Sequence, residues 1–124
     1  MKKTLFFLSV LLFSLASCSN ENSLIGTWNG KNYDGLNVKW TFQADGSASS
    51  TKSGGAVQEM KYVTDDTKTP KELNLNSLVD EGTLRAIYKF TEKGKLVIGI
   101  NQDVTIRPEG FAIPGLQMLI LTKE

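Results

Sequence analysis

The chain is predicted to be all-β: an antiparallel sheet of eight short strands closed into a barrel, with a β-sandwich as the alternative. Three observations lead there. Apolar residues alternate with polar ones at a period of two in run after run, and turn residues separate the runs. The third is an absence: from residue 24 onward no stretch keeps a helical period for more than about two turns.

The clearest run is NVKWTFQ, residues 37–43, where Val38, Trp40 and Phe42 alternate with Asn37, Lys39, Thr41 and Gln43. A helix would scatter those apolar side chains around its axis, whereas a strand puts them on one face. Before it, LIGTWNGKNY (24–33) forms a first strand, with Ile25 and Trp28 on opposite parities and a bulge or bend near Gly26. After it, Asp45-Gly46 is a turn of the kind that closes a two-residue hairpin. The polar run from Ser47 to Lys52 then reads as an edge or rim strand, and SASSTKSGG (47–55) as a mobile contact loop.

Four more runs follow the same rule. AVQEMKYVT (56–64) alternates Met60 and Tyr62 with Glu59 and Lys61, and ELNLN (72–76) puts Leu73 and Leu75 on one face. LRAIYKFT (84–91) carries Leu84, Ala86, Tyr88 and Phe90 on one parity, and KLVIGIN (95–101) carries Leu96, Ile98 and Ile100. The last, LQMLILT (116–122), is apolar on both parities and is expected to be a central strand.

The first 17 residues stand apart from this pattern. Lys2 and Lys3 precede an apolar run from Leu5 to Phe13, interrupted only by Ser9, and the small residues Ala16 and Ser17 follow. That three-part arrangement is a secretory leader, too short to span a bilayer core of roughly 30 Å. The four residues LASC, 15–18, resemble the lipobox of bacterial lipoproteins. The resemblance implies cleavage before Cys18 and conversion of its thiol to a diacylglycerol thioether, with a third chain, such as palmitate, on the new amino group. More than one acyl chain gives stable membrane anchoring. Ser19 is not the aspartate that commonly retains such proteins at the inner membrane, so the outer membrane is the expected address. The expected organisation is a leader at 1–17, a lipidated tether at 18–23 and one domain at 24–124.

Composition limits what that domain can do. Loss of Lys2 and Lys3 would leave 12 basic residues against 13 acidic, a formal charge of −1 in place of +1, which recruits no nucleic acid. A single cysteine makes no intrachain disulfide, so packing and backbone pairing must supply the stability of a monomer. The chain has no histidine, so neither a Cys-His nor a Ser-His-Asp system can be assembled, and zinc would find only carboxylates. Asp65-Asp66 and Asp80-Glu81 fall in expected turns, where solvation explains them. No enzyme, metal or cofactor is expected.

From Gly26 to Lys123 the chain resembles a small lipocalin-like family of uncharacterised bacterial secreted proteins and lipoproteins, common in planctomycetes. The resemblance is carried by Gly26 and Trp28 in GTW, by Asp65, Pro70, Lys71 and Leu75 in TDDTKTPKELNL, by Ile87, Tyr88 and Leu96, and by Arg107, Pro108 and Phe111 in RPEGF. Asn74, Ala86 and Lys95 depart from its pattern. It implies a lipocalin-like barrel and no common activity.

Such a barrel admits two functions: carriage of one small apolar ligand, or contact with another envelope protein. The inward face would draw on Trp28, Trp40, Phe42, Tyr62, Tyr88, Phe90, Ile98 and Phe111, either as ligand contacts or as plain core. In so short a barrel the inward side chains are expected to fill the interior. Arg107 can clamp a ligand carboxylate or cap the barrel on Trp28; the likeness to lipocalins, where an arginine packs across the first-strand tryptophan, implies the cap.

Overall fold

The computed structural model describes residues 23–32, 34–79 and 82–124. The leader, Cys18 with the tether to residue 22, and the Asp80-Glu81 pair lie outside the described residues. Eight strands follow in order: β1 (Gly26–Lys31), β2 (Asn37–Phe42), β3 (Ser47–Lys52), β4 (Val57–Asp65), β5 (Lys71–Ser77), β6 (Thr83–Phe90), β7 (Leu96–Ile100) and β8 (Gln117–Lys123). Each pairs antiparallel with the next, and β8 returns to β1 in a register running from Trp28↔Lys123 to Lys31↔Ile120. The protein is a closed, eight-stranded antiparallel barrel.

Closure corrects one expectation about a single strand and bears out another. The polar β3 is no edge or mobile loop: it is paired on one side with β2 and on the other with β4. A closed sheet has no edge, so a strand can be polar provided its few inward positions suit the interior, and Ala48 is buried. The apolar β8 is paired on both sides, with β7 and β1, as a central strand is, although Met118 and Ile120 point outward, 43% and 51% exposed.

The turns obey local chemistry. Gln43 N–H donates to Ser47 O at 2.9 Å and Gly46 N–H to Gln43 O at 3.2 Å, so the loop holds three residues rather than the two expected. Thr91, Gly94 and Lys95 repeat the arrangement. Gly46 and Gly94 have φ of 90° and 80°, the left-handed position that ends this hairpin type and favours glycine. At the β1–β8 seam, a Cβ on Gly30 would run into Ile120 O and stand 2.7 Å from Leu121 Cδ2, so the seam closes only over glycine.

The core fills one half of the barrel. Trp28, Phe42, Leu73, Leu96, Ile98 and Leu121 are all at or below 2% exposure, and Trp28 lies 6.1 Å from Phe90 while Phe42 meets Tyr62 edge-on at 5.1 Å. Leu24, just before β1, is buried, and its carbonyl accepts the Trp28 indole N–H at 2.8 Å, which closes this end. The ladders run from Gly26 to Lys123 and the core from Leu24 to Leu121, so the closed sheet and its core lie within these residues.

The connection 101–116 crosses the outside of the barrel. Ile87 and Val97 face outward by parity yet are buried, because this segment lies over them: a Cβ on Gly99 would stand 3.3 Å from Leu116 and 3.4 Å from Phe111. Val104 O accepts the Arg85 N–H at 2.8 Å, where β7 no longer pairs with β6.

Candidate ligand-binding site

The other half of the barrel is hollow. The connections β1–β2, β3–β4, β5–β6 and β7–β8 all lie at this end, and between them opens a cavity of ≈ 870 Å³. Its wall is built by alternation: Val38 and Trp40 from β2, Met60 from β4, Leu75 from β5, Leu84 from β6, Ile100 from β7 and Leu119 from β8. Cross-strand partners share a face, so Trp40↔Ser50↔Gln58 and Val38↔Lys52 bring Ser50, Lys52 and Gln58 to the same inner surface nearer the mouth. The result is an apolar cup with a polar flank on β3 and β4. Its volume lies within the range of roughly 300–1,000 Å³ usual for small-molecule sites.

The expectation that inward side chains fill the interior therefore holds only for the closed half. Aromatic rings are unevenly distributed: Trp28, Phe42 and Tyr88 are buried, and Phe90 and Tyr62 pack beside them. Toward the mouth the inward positions carry Ser50, Lys52, Gln58 and Ser77, which cannot meet across the barrel. Of the residues expected to contact a ligand, Trp40 alone lines the cavity. Trp28, Phe42, Tyr62, Tyr88, Phe90 and Ile98 belong to the core, and the Tyr62 hydroxyl donates to Gln43 O at 2.7 Å. Burial, and then the charge of Asp45, raises the Tyr62 pKa; burial, and then Asp66, does the same for Tyr88.

Two expected site residues lie outside the barrel. Phe111 packs over Gly99 on the outer face, with Lys89 Nζ 4.5 Å from its ring centre. Arg107 neither caps Trp28 nor faces the cavity. It donates to Ala86 O at 2.9 Å and to Asn74 Oδ1 at 2.7 Å, and pairs with Glu72 at 3.6 Å, on the outward parity of β5. The cation over Trp28 is Lys123, 5.4 Å from the ring centre.

No family model, curated protein or solved structure matches the chain.

Met60, Leu84 and Ile100 were legible on one face from alternation, whereas Leu119 was not because its run is apolar on both parities, and nothing in their order says that they face empty space. The useful signal was the polar residue at successive inward positions of β3, at Ser50 and Lys52. The acidic turn at Asp65 behaves as a solvated turn: its carboxylate accepts the backbone N–H of Thr67 at 3.0 Å and the hydroxyl of the same residue.

Proposed function

We propose that the chain is a bacterial envelope lipoprotein, anchored to the outer membrane through acylated Cys18, whose barrel holds one small apolar molecule in its cavity without catalysing a reaction on it. The observation that carries the binding reading is the ≈ 870 Å³ cavity walled by Trp40, Met60, Leu84, Ile100 and Leu119. A filled interior would leave the barrel no room for cargo, whereas an apolar cup open at one end suits it. The resemblance of residues 26–123 to a lipocalin-like family supports the same reading, as does the leader followed by LASC for the anchor.

Native mass spectrometry of the barrel, residues 19–124, purified from its own cells tests the binding reading. The expected spectrum carries a non-covalent adduct of lipid size, and a uniformly apo mass rejects it. The anchor is tested separately in the full chain: Cys18→Ser moves the protein from the membrane to the soluble fraction, and unchanged partitioning overturns the lipobox reading.

One observation favours a second reading, contact with an envelope protein. Leu36, Val57, Leu78, Val79 and Val104 are all exposed, and all lie at the mouth. Exposed aliphatic groups gathered at one pole mark a contact surface. An apo barrel that binds another envelope protein through this pole would select that reading.

A further inference from the structure

Polar side chains occur at several places on the cavity lining, but β3 and β4 bring two of them together with an inward-facing ammonium, and that flank defines the head of the molecule the cavity would take. On β3 and β4, Ser50, Lys52 and Gln58 line the cavity within one register block. Among the described residues, none of these three side chains hydrogen-bonds or ion-pairs with protein. Two hydroxyl or amide donors and one ammonium therefore stand free beside an apolar wall. Glu59 also borders the cavity, but its cross-strand partner is Ser49 and it belongs to the outward parity. Lys52 is thus the one charged side chain of inward parity among the described residues lining the cavity. Across from it the wall is built by Leu84, Ile100 and Leu119, with the uncharged Gln117 beside Ile100 nearer the mouth, and Trp40 lies between the two surfaces.

Resting on the binding reading above, we propose that the cavity's ligand is a single-chain amphiphile with an anionic head: the head meets Lys52, Ser50 and Gln58 at the mouth, and the chain lies against Trp40, Met60, Leu84, Ile100 and Leu119. A carboxylate and a phosphate monoester share the required chemistry, several acceptor oxygens bearing negative charge, which an ammonium and neutral donors satisfy together. A neutral head leaves the ammonium without a counter-charge, and a cationic head is repelled by it.

The test uses the barrel, residues 19–124, at low ionic strength, with Trp fluorescence reporting binding of three chain-matched probes: myristate, myristyl alcohol and myristoyl lysophosphatidate. The expected result is that an anionic probe binds about five- to tenfold more tightly than the alcohol, the gain of a charge-assisted contact at a partly solvated site. Lys52→Gln abolishes that preference and leaves the alcohol's affinity unchanged, with an unchanged thermal midpoint showing that the barrel is intact. Preference for only one of the anions tells carboxylate from phosphate within the same proposal. Equal affinity for all three probes, or an equal loss for all three in Lys52→Gln, overturns the anionic head while the binding reading stands. Failure of all three to bind overturns both.

Discussion

Arg107 shows how a residue can be read rightly as anchored and wrongly as to what it anchors. Its guanidinium joins Ala86 O, Asn74 and Glu72, so it fastens the 101–116 segment to the outside of β5 and β6. Replacing it by alanine leaves a partly buried carbonyl and amide without their donor and is expected to cost about 1.5–3 kcal/mol. Arg107→Lys should recover only part of this, since one ammonium cannot reproduce the planar fork. Urea midpoints of the two variants check the order, and ligand affinity should not change in either; loss of binding in Arg107→Ala would reinstate a clamp. The sequence marked Trp28 as inward-facing but left open whether it met a ligand or the core, and the structure buries it in the core. Its cationic neighbour was not legible, because Lys123 reaches Trp28 only through the β1–β8 closure, a pairing between the two ends of the domain that no local pattern encodes.

Among elements, the runs with strict alternation were legible to within a residue or two, since period two is a local property and the sheet confirms it strand by strand. The weak point was the status of each strand in the sheet, because a polar strand signals an edge only where edges exist. The turns contain a repeat that alternation does not reveal: Asp45-Gly46-Ser47, Asp65-Asp66-Thr67 and Asp103-Val104-Thr105 each have a carboxylate accepting the N–H and the hydroxyl two residues on. The hydroxyl bond first, then the backbone bond, lowers the pKa of all three from the ordinary 3.8. A carboxylate with a lowered native pKa adds stability that is present above its unfolded value and is lost as pH falls through the native one. The barrel's thermal midpoint should therefore be flat at neutral pH and fall on acidification below about pH 4. Asp45→Asn, Asp65→Asn and Asp103→Asn combined should lower the neutral-pH midpoint and flatten that acid slope. An acid slope unchanged in the triple variant would show that these turns do not carry it.

At the scale of the whole molecule, the barrel has two unlike poles, and among the described residues Ser23 to Ile25 enter β1 at the closed one. Leu24 is buried there beneath Trp28, and the β2–β3, β4–β5 and β6–β7 turns surround it with polar residues, while the exposed aliphatic residues Leu36, Val57, Leu78, Val79 and Val104 lie at the mouth. From an acylated Cys18, the five residues to Ser23 reach no more than about 18 Å at full extension. The anchored barrel would thus stand with its closed pole toward the bilayer and its mouth toward the aqueous compartment, exchanging cargo on the side away from its own anchor. If Cys18 is acylated as proposed, it has no free thiol, and one introduced cysteine would be the only labelling site of the processed protein. In acylated protein reconstituted in vesicles, a fluorophore on Asp45→Cys at the closed pole should be quenched by spin-labelled lipid headgroups, and one on Val79→Cys at the mouth should not. The reverse pattern would mean that the mouth rests on the anchoring membrane, and cargo would then pass directly between that bilayer and the cavity.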